Sequence, residues 1–260
     1  MSKILAALRL AGIDVKKMTG IWKDLFFFKK EYNAFIRQRG SDKDFNWVKL
    51  NPAFNEQGET AGVMNGQYFL QDFLVARKIF KKNPVRHIDV GSRIDGFVAH
   101  VAIFRKIEVL DIRPMKSGFD NISFRQADLM KPAPEYLECC DSISALHSLE
   151  HFGLGRYGDP IDYLGHLKAI ETIHKMLQMD GTFYFSTPIG TQRVEFNSQR
   201  VFSIRYLLDH LIGKFQIVSF AYVGDDGELY ENIVLDEVKI QSNCGCNYGC
   251  GIFELQKVKS

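Results

Sequence analysis

The chain has 260 residues, 46% hydrophobic and 25% charged, with a formal net charge of +2; that balance excludes a disordered chain and argues against a general nucleic-acid binder, which carries a strong basic excess. No apolar run approaches the roughly 18 residues a membrane span needs, and Met1–Val15, interrupted by Lys3 and Arg9, lacks the apolar region and cleavage site of a signal peptide. Five cysteines, an odd number, fit a reducing compartment better than a disulfide framework, so a cytoplasmic location is expected.

Residues 1–66 read as a basic helical extension and linker, and residues 67–260 as the main domain. Residues 1–40 hold nine Lys or Arg against three Asp or Glu, a net of +6 that leaves −4 for the rest of the chain. Within them Leu25-Phe26-Phe27-Phe28 lies between Lys23 and Lys29-Lys30. Such a segment suits an anionic membrane surface, here the inner face, or a docking partner; it equally suits a helical cap packed on the main domain. Residues 46–66, with Asn51-Pro52, Gly58, Gly62 and Gly66, have the composition of an irregular linker. From Gln67 to Lys82 the apolar residues Tyr68, Phe69, Phe73, Leu74, Ala76 and Phe80 recur at helical spacing, which predicts a helix leading into the first strand.

Beyond Pro84 the pattern alternates. Strands are expected at 85–90, 107–111, 122–125, 141–146, 181–187, 215–223 and 250–258, with helices at 96–104, 161–178 and 203–213. Short apolar strands separated by crossovers indicate an α/β fold with a mostly parallel sheet covered on both faces. The last two strands have no evident helix between them, which favours an antiparallel pair. A mostly parallel seven-stranded sheet with an antiparallel edge strand is the Rossmann-like architecture of class I methyltransferases; an NAD-dependent enzyme shares the first half but predicts a parallel final strand.

The chemistry concentrates at strand ends. His87-Ile88-Asp89-Val90-Gly91-Ser92-Arg93-Ile94-Asp95-Gly96 is a strand that breaks at glycine and re-enters a helix. Glycine lets the backbone approach a ligand closely. Twenty-two residues after Asp89 the next strand ends in Asp111, an acid placed to take both hydroxyls of a ribose. Gln126-Ala127-Asp128-Leu129 follows the third strand, and His147-Ser148-Leu149-Glu150-His151 the fourth. His147-x-x-Glu150-His151 also has inverzincin spacing, but a zinc protease needs a continuous helix there, and Gly153, Gly155 and Gly158 interrupt one. Cys244, Cys246 and Cys250 lie within seven residues, a possible thiolate set for zinc without an obvious fourth ligand. No metal is assigned.

In order and spacing these motifs resemble those of class I S-adenosylmethionine-dependent methyltransferases, with Arg93 and Asp95 standing where that class usually has glycines. The runs Asp111-Ile112-Arg113-Pro114, His147 to Pro160, Thr187-Pro188-Ile189-Gly190 and Arg193-Val194-Glu195-Phe196-Asn197 further resemble the methyltransferase-like domain of unknown function 268, over about residues 60–258. The resemblance is to a bacterial family often encoded among surface-polysaccharide genes. It implies S-adenosylmethionine as cofactor, held by Asp89, Gly91, Arg93, Asp111, Ile112, Asp128, Leu129 and His147. Asp111 would bind the ribose and Asp128 the adenine amino group; Arg93, where this chain departs from the class, is by its guanidinium fork a candidate partner for the cofactor's carboxylate, or else a surface arginine at a turn. Methyl transfer to a sugar or other small intermediate of surface-polysaccharide synthesis is implied, with no nucleic-acid partner.

Methyl transfer needs alignment of an acceptor and removal of a proton. An imidazole suits the latter near neutral pH, so His151 is the first candidate base and His147 the second, with Glu150 and Asp159 nearby. Arg156, Tyr157, Asp159, Arg193, Glu195 and Asn197 form a polar set that would grip a hydroxyl-rich or anionic substrate, or else brace the loops. The alternative to an enzyme is a catalytically inactive scaffold of the same fold, serving as a partner in polysaccharide assembly. The acceptor and the oligomeric state are left open.

Overall fold

A computed structural model describes residues 15–41, 49–51, 64, 66–116, 118–131 and 134–259, the side chains of 15–24 excepted. Much of the expected linker, and the segment preceding residue 15, lie outside the described residues. The chain divides into two units, Met1–Val63 and Met64–Ser260. In the first, helix α1 (Val15–Arg39) ends on Arg37 and Arg39, basic residues that complement the negative end of the helix dipole. Phe28 and Tyr32, four residues apart on one face, stack at 6.5 Å. Among the described residues no helix is long and apolar enough to cross a membrane.

The second unit begins with α2 (Gln67–Lys82), which stops where Asn83 turns left-handed at φ 48° and its N–H caps Ile79 O; Pro84 follows. The strands are β1 (His87–Val90), β2 (Ile107–Asp111), β3 (Ile122–Gln126), β4 (Cys140–Leu146), β5 (Leu177–Ile189), β6 (Arg193–Glu195), β7 (Gln199–Val201), β8 (Phe215–Val223), β9 (Leu229–Tyr230) and β10 (Gly249–Lys257). Between them run a π-helical turn at Ile94–Val98 leading into α3 (Ala99–Ala102), then α4 (Gly165–Met176), α5 (Ile204–Leu211) and α6 (Glu237–Ser242). β6 and β7 form a separate hairpin; the other strands make one eight-stranded sheet in the order β3-β2-β1-β4-β5-β10-β8-β9.

β3, β2, β1, β4 and β5 are parallel, and β10 runs antiparallel to β5 and to β8. The expected antiparallel pair is therefore present, with the final strand inserted between β5 and β8 and the two-residue β9 as an additional edge. The order reverses at β1 and β4, which opens a crevice above their carboxyl ends, where open α/β sheets bind ligands.

Alternation along the strands builds a core on each face. Phe183 and Phe185 of β5 join Ala169, Ile173 and Leu207 from α4 and α5. Tyr184, between them in sequence, faces the layer of Leu74 and Ile79 from α2 and of Phe97 and Val101. Phe185, Phe253 and Phe220 lie in register across β5, β10 and β8, with ring centroids 6.0 and 4.7 Å apart. The row locks the inserted strand between its neighbours. β5 is longer than expected, starting directly at the end of α4; its register shifts against Cys140/Ser142, and Asp180 has φ 61°. Replacing Phe253, fully buried in this row, by alanine is expected to cost about 3–5 kcal/mol in a urea unfolding measurement; a loss under 1 kcal/mol would contradict the packing described.

Candidate functional site

The site starts from one buried carboxylate. Asp89, near the end of β1, is fully buried and accepts from Ser92 N–H at 3.0 Å, Ser92 Oγ at 2.6 Å and Ser144 Oγ of β4 at 2.6 Å. Ser92 Oγ in turn accepts from Leu146 N–H at 3.1 Å. The turn after β1 is thus pinned to both β1 and β4. Burial pushes the Asp89 carboxyl up to about 6, against the pull of these hydrogen bonds. Behind it, the His87 imidazole sits between Ser142 Oγ and Ser144 Oγ and is kept neutral by burial, which lowers it to about 3. Gly91 follows at φ 66°, and a Cβ there would stand 3.3 Å from Ser148 Cβ and 4.0 Å from Asp111 Oδ2. Glycine is needed for the backbone angle, and its missing side chain leaves the turn open.

Above the turn lies a partly open cavity of about 190 Å³. Gly91, Ser92 and Arg93 form one wall. Leu110–Arg113 and Ala127–Met130, at the ends of β2 and β3, form a second. His147, Ser148, His151, Phe152, Arg156, Tyr157 and Asp159 form a third, and Tyr68 of α2 closes the cavity. Asp111 stands at its strand tip with Oδ1 accepting from Arg113 N–H at 2.8 Å and Nε at 3.0 Å, and Oδ2 from Nη2 at 2.6 Å. Asp128 Oδ1 caps Met130 N–H at 3.0 Å. Ile112 and Leu129, next in sequence to those two acids, also line the cavity.

The third wall holds the titratable groups. His147 has φ 48°, its N–H donates to Ser186 O at 3.0 Å, and its Nδ1 lies 2.9 Å from Glu150 Oε1. Burial works against charge on this imidazole, but neighbouring Cys250 and Glu150 outweigh it and raise its pKa well above the usual value. His151 Nδ1 lies 2.7 Å from Ser198 O. Only an N–H fits so short a contact with a carbonyl, which assigns the tautomer and leaves Nε2 as a lone-pair site. Burial lowers the His151 pKa despite Glu150, whose Oε1 is 3.8 Å from Nε2. A neutral imidazole beside a fully buried carboxylate can take a proton and have the resulting charge compensated.

Several expected residues sit elsewhere. Asp89 does not line the cavity; it holds the turn from below. Glu150 is likewise behind the wall. Asp159 borders the cavity with its carboxylate accepting from the N–H groups of Gly153, Gly155 and Tyr157, which braces the loop. Arg193 and Glu195 pair with each other at 2.8 Å on the β6–β7 hairpin, and Arg193 also bonds Thr191 O and Asn247 O. Neither they nor Asn197 line the cavity. The hairpin does reach the site through Ser198 O, which Arg156 Nη1 also contacts at 3.0 Å.

Arg93 needs no glycine at its position, since its φ is −69°; its guanidinium pairs with Asp95 at 3.0 Å and lies 5.3 Å from the Tyr68 ring centre. Cys250 is buried in β10, its Sγ 3.4 Å from Gln71 Oε1, whereas Cys244 and Cys246 belong to the preceding turn. Among the described residues no group of three His, Cys, Asp or Glu is placed to hold a metal ion. Tyr68 and Arg113 are cavity residues with no site role expected from the sequence. Tyr68 packs against His147 with ring centroids 4.9 Å apart and planes tilted by 41°, a partnership across almost eighty positions that periodicity cannot show.

The groups bordering the cavity are of the kind an adenosyl cofactor takes: the strand-end carboxylates Asp111 and Asp128, the apolar Ile112 and Leu129, and a cradle at Gly91 that a Cβ would narrow. Buried Ser148 Oγ and His147 Nε2 have no hydrogen-bond partner within the protein. Residues 106–245, over half of the chain, match the family described as "Caenorhabditis protein of unknown function, DUF268". No curated protein sequence matches the chain. Among solved structures, the [4+2]-cyclase SpnF superposes with a TM-score of 0.52 at 15% identity, over 73% of this chain and 81% of that one. The N-methyltransferase NodS from Bradyrhizobium japonicum WM9, in complex with S-adenosyl-L-homocysteine, gives 0.50 at 13% identity over 74% and 88%. Geranyl diphosphate methyltransferase in complex with S-adenosylmethionine gives 0.50 at 11% over 71% and 85%. The fold is that of the Rossmann-like methyltransferases, and the cyclase shows that this fold alone does not fix the reaction.

Next to the cavity, Asp72 of α2 is almost wholly buried, and a Cβ on Gly96 would fall 2.5 Å from its Oδ2. Burial raises its carboxyl to about 7, against the Gln71 side-chain hydrogen bond. The unfolded chain, with an ordinary carboxyl, binds fewer protons than the native state between about pH 4 and 7, so this group's contribution is complete below pH 4 and is lost as pH rises through 7. Asp72→Asn removes that dependence. Urea unfolding should show the wild type losing up to about 4 kcal/mol relative to the variant between pH 4 and pH 8; parallel pH profiles would refute it.

Proposed function

The chain is a member of the DUF268 family, and from that premise and the cavity at β1–β2–β3 we propose that it is an S-adenosylmethionine-dependent methyltransferase. The observation that carries this reading is the coincidence, in one cavity, of a strand-tip acid for ribose, a glycine cradle and a buried imidazole held neutral. Bound S-adenosylmethionine would supply a methyl group already activated on a sulfonium. Asp111 would hold the ribose hydroxyls, Asp128 the adenine amino group, and Ile112 and Leu129 the faces of the ring. Gly91 and Ser92 would leave room for the rest, with Arg93 in reach of the carboxylate if it exchanges Asp95 for it.

His151 Nε2 is the candidate base for the acceptor's proton. Its Nδ1–H stays on Ser198 O, and Glu150, 3.8 Å from Nε2, offsets the positive charge formed. His147, paired to the same carboxylate, positions Glu150 and is not itself free to accept. Arg156 and Tyr157 border the space an acceptor would occupy. We infer the acceptor to be a hydroxyl-bearing small molecule, a sugar or other intermediate of surface-polysaccharide synthesis, as the bacterial resemblance implies; the basic stretch of residues 1–40 would suit contact with a membrane surface or a partner.

Calorimetric titration with S-adenosylhomocysteine is expected to show binding that Asp111→Asn weakens tenfold or more, the worth of a charged hydrogen bond. No heat at millimolar ligand, or indifference to Asp111→Asn, would favour the inactive-scaffold alternative. In a mass-spectrometric screen of nucleotide-sugars for methyl gain, His151→Gln should lower the rate of any product found by about 10²–10⁴. Because burial lowers the His151 pKa, the wild-type rate should already be level above pH 7; a rate still climbing there would exclude His151 as the base.

A further inference from the structure

The pocket's mouth holds two guanidinium groups on one aromatic ring. Arg113 Cζ lies 4.3 Å from the Tyr157 ring centre and Arg156 Cζ 5.1 Å, both within cation–π range. Their partners differ. Arg156 bonds Ser198 O and touches His151 Nδ1 at 3.2 Å; among the described residues it pairs with no carboxylate. Arg113 is neutralised by Asp111, forking onto both of its oxygens.

A carboxylate offers about four lone-pair positions. Arg113 takes three through its backbone N–H, Nε and Nη2. A ribose diol donates two hydrogen bonds, so it cannot seat on Asp111 while the fork stays closed. Opening the fork gives Asp111 to the diol and turns Arg113 loose beside Arg156, on the same tyrosine and next to His151. The diol brings no charge to replace the one Arg113 loses. Two like charges are then gathered at the mouth, and guanidinium forks match the oxygens of phosphate best.

We propose that the methyl acceptor carries a phosphoryl group, and that Arg113 and Arg156 grip it once the cofactor's ribose has taken Asp111 from Arg113. Arg113 thereby makes acceptor binding follow cofactor binding. This rests on the methyltransferase reading and adds to it the acceptor's anionic group and an order of assembly.

The test titrates inorganic phosphate into the full-length protein by calorimetry, with and without saturating S-adenosylhomocysteine. Phosphate should bind at least tenfold more tightly when S-adenosylhomocysteine is present. Arg113→Ala and Arg156→Ala should each remove that gain, and Arg156→Lys, which keeps the charge without the fork, should retain part of it. Arg113→Ala should also bind S-adenosylhomocysteine at least threefold more tightly than wild type, because the competitor for Asp111 is gone. Thermal melts identify any variant that fails to fold, and the wild-type comparison with and without S-adenosylhomocysteine needs no variant. Equal phosphate affinity in both states, or weaker S-adenosylhomocysteine binding by Arg113→Ala, overturns the proposal while leaving the methyltransferase reading intact. Acetate binding as tightly as phosphate overturns the phosphoryl assignment in favour of a carboxylate. Absence of any S-adenosylhomocysteine binding overturns both readings.

Discussion

A carboxylate with no exposure holds this site together. Asp89 ties the end of β1 to the turn that follows and to β4 through hydrogen bonds from Ser92 and Ser144. A buried acid is costly unless its lone pairs are satisfied; here the serines satisfy it. Ser92 passes the constraint on to Leu146 N–H at the tip of β4, immediately before His147. One buried group therefore sets both the wall where Gly91 leaves space and the start of the wall that carries the imidazoles. Substituting a smaller acceptor there would loosen two walls together.

The two halves of the cavity have different physics. Around β2 and β3 the strand tips offer acids and apolar flanks, suited to a neutral nucleoside with hydroxyl and amino donors. Around β4 the imidazoles are buried and held by fixed partners, so their proton affinity is set by surroundings rather than by solvent. Arg113 and Tyr157 bridge the halves. Asp159, by bracing Gly153, Gly155 and Tyr157, holds the loop that brings Tyr157 to that bridge.

Much of this was legible in the sequence because it follows from local pattern. The alternation of short apolar strands with helices, and acids at strand tips, located β1, β2 and β3 and put Asp111 and Asp128 at one edge. What could not be read is partnership. An acid in a glycine-rich loop looks like a site residue, yet Asp159 serves backbone N–H groups. Arg193 and Glu195 look like a substrate grip, yet they face each other on a hairpin. Tyr68 reaches His147 from a helix far upstream. Arg113 was visible only as a neighbour of Asp111, and its fork is a matter of side-chain geometry. The insertion of β10 between β5 and β8, rather than at the edge, depends on the fit of Phe253 between Phe185 and Phe220, which no single strand's pattern contains.

The account's central claim is that the cavity above the Asp89-pinned turn seats an adenosyl cofactor. A crystal structure of the protein grown with S-adenosylhomocysteine tests it most directly. The ribose hydroxyls should lie within hydrogen-bond distance of Asp111, and the adenine between Ile112 and Leu129 with its amino group toward Asp128. Density for the nucleoside at another place, or side chains filling this cavity while the ligand is absent from saturated crystals, would contradict the claim.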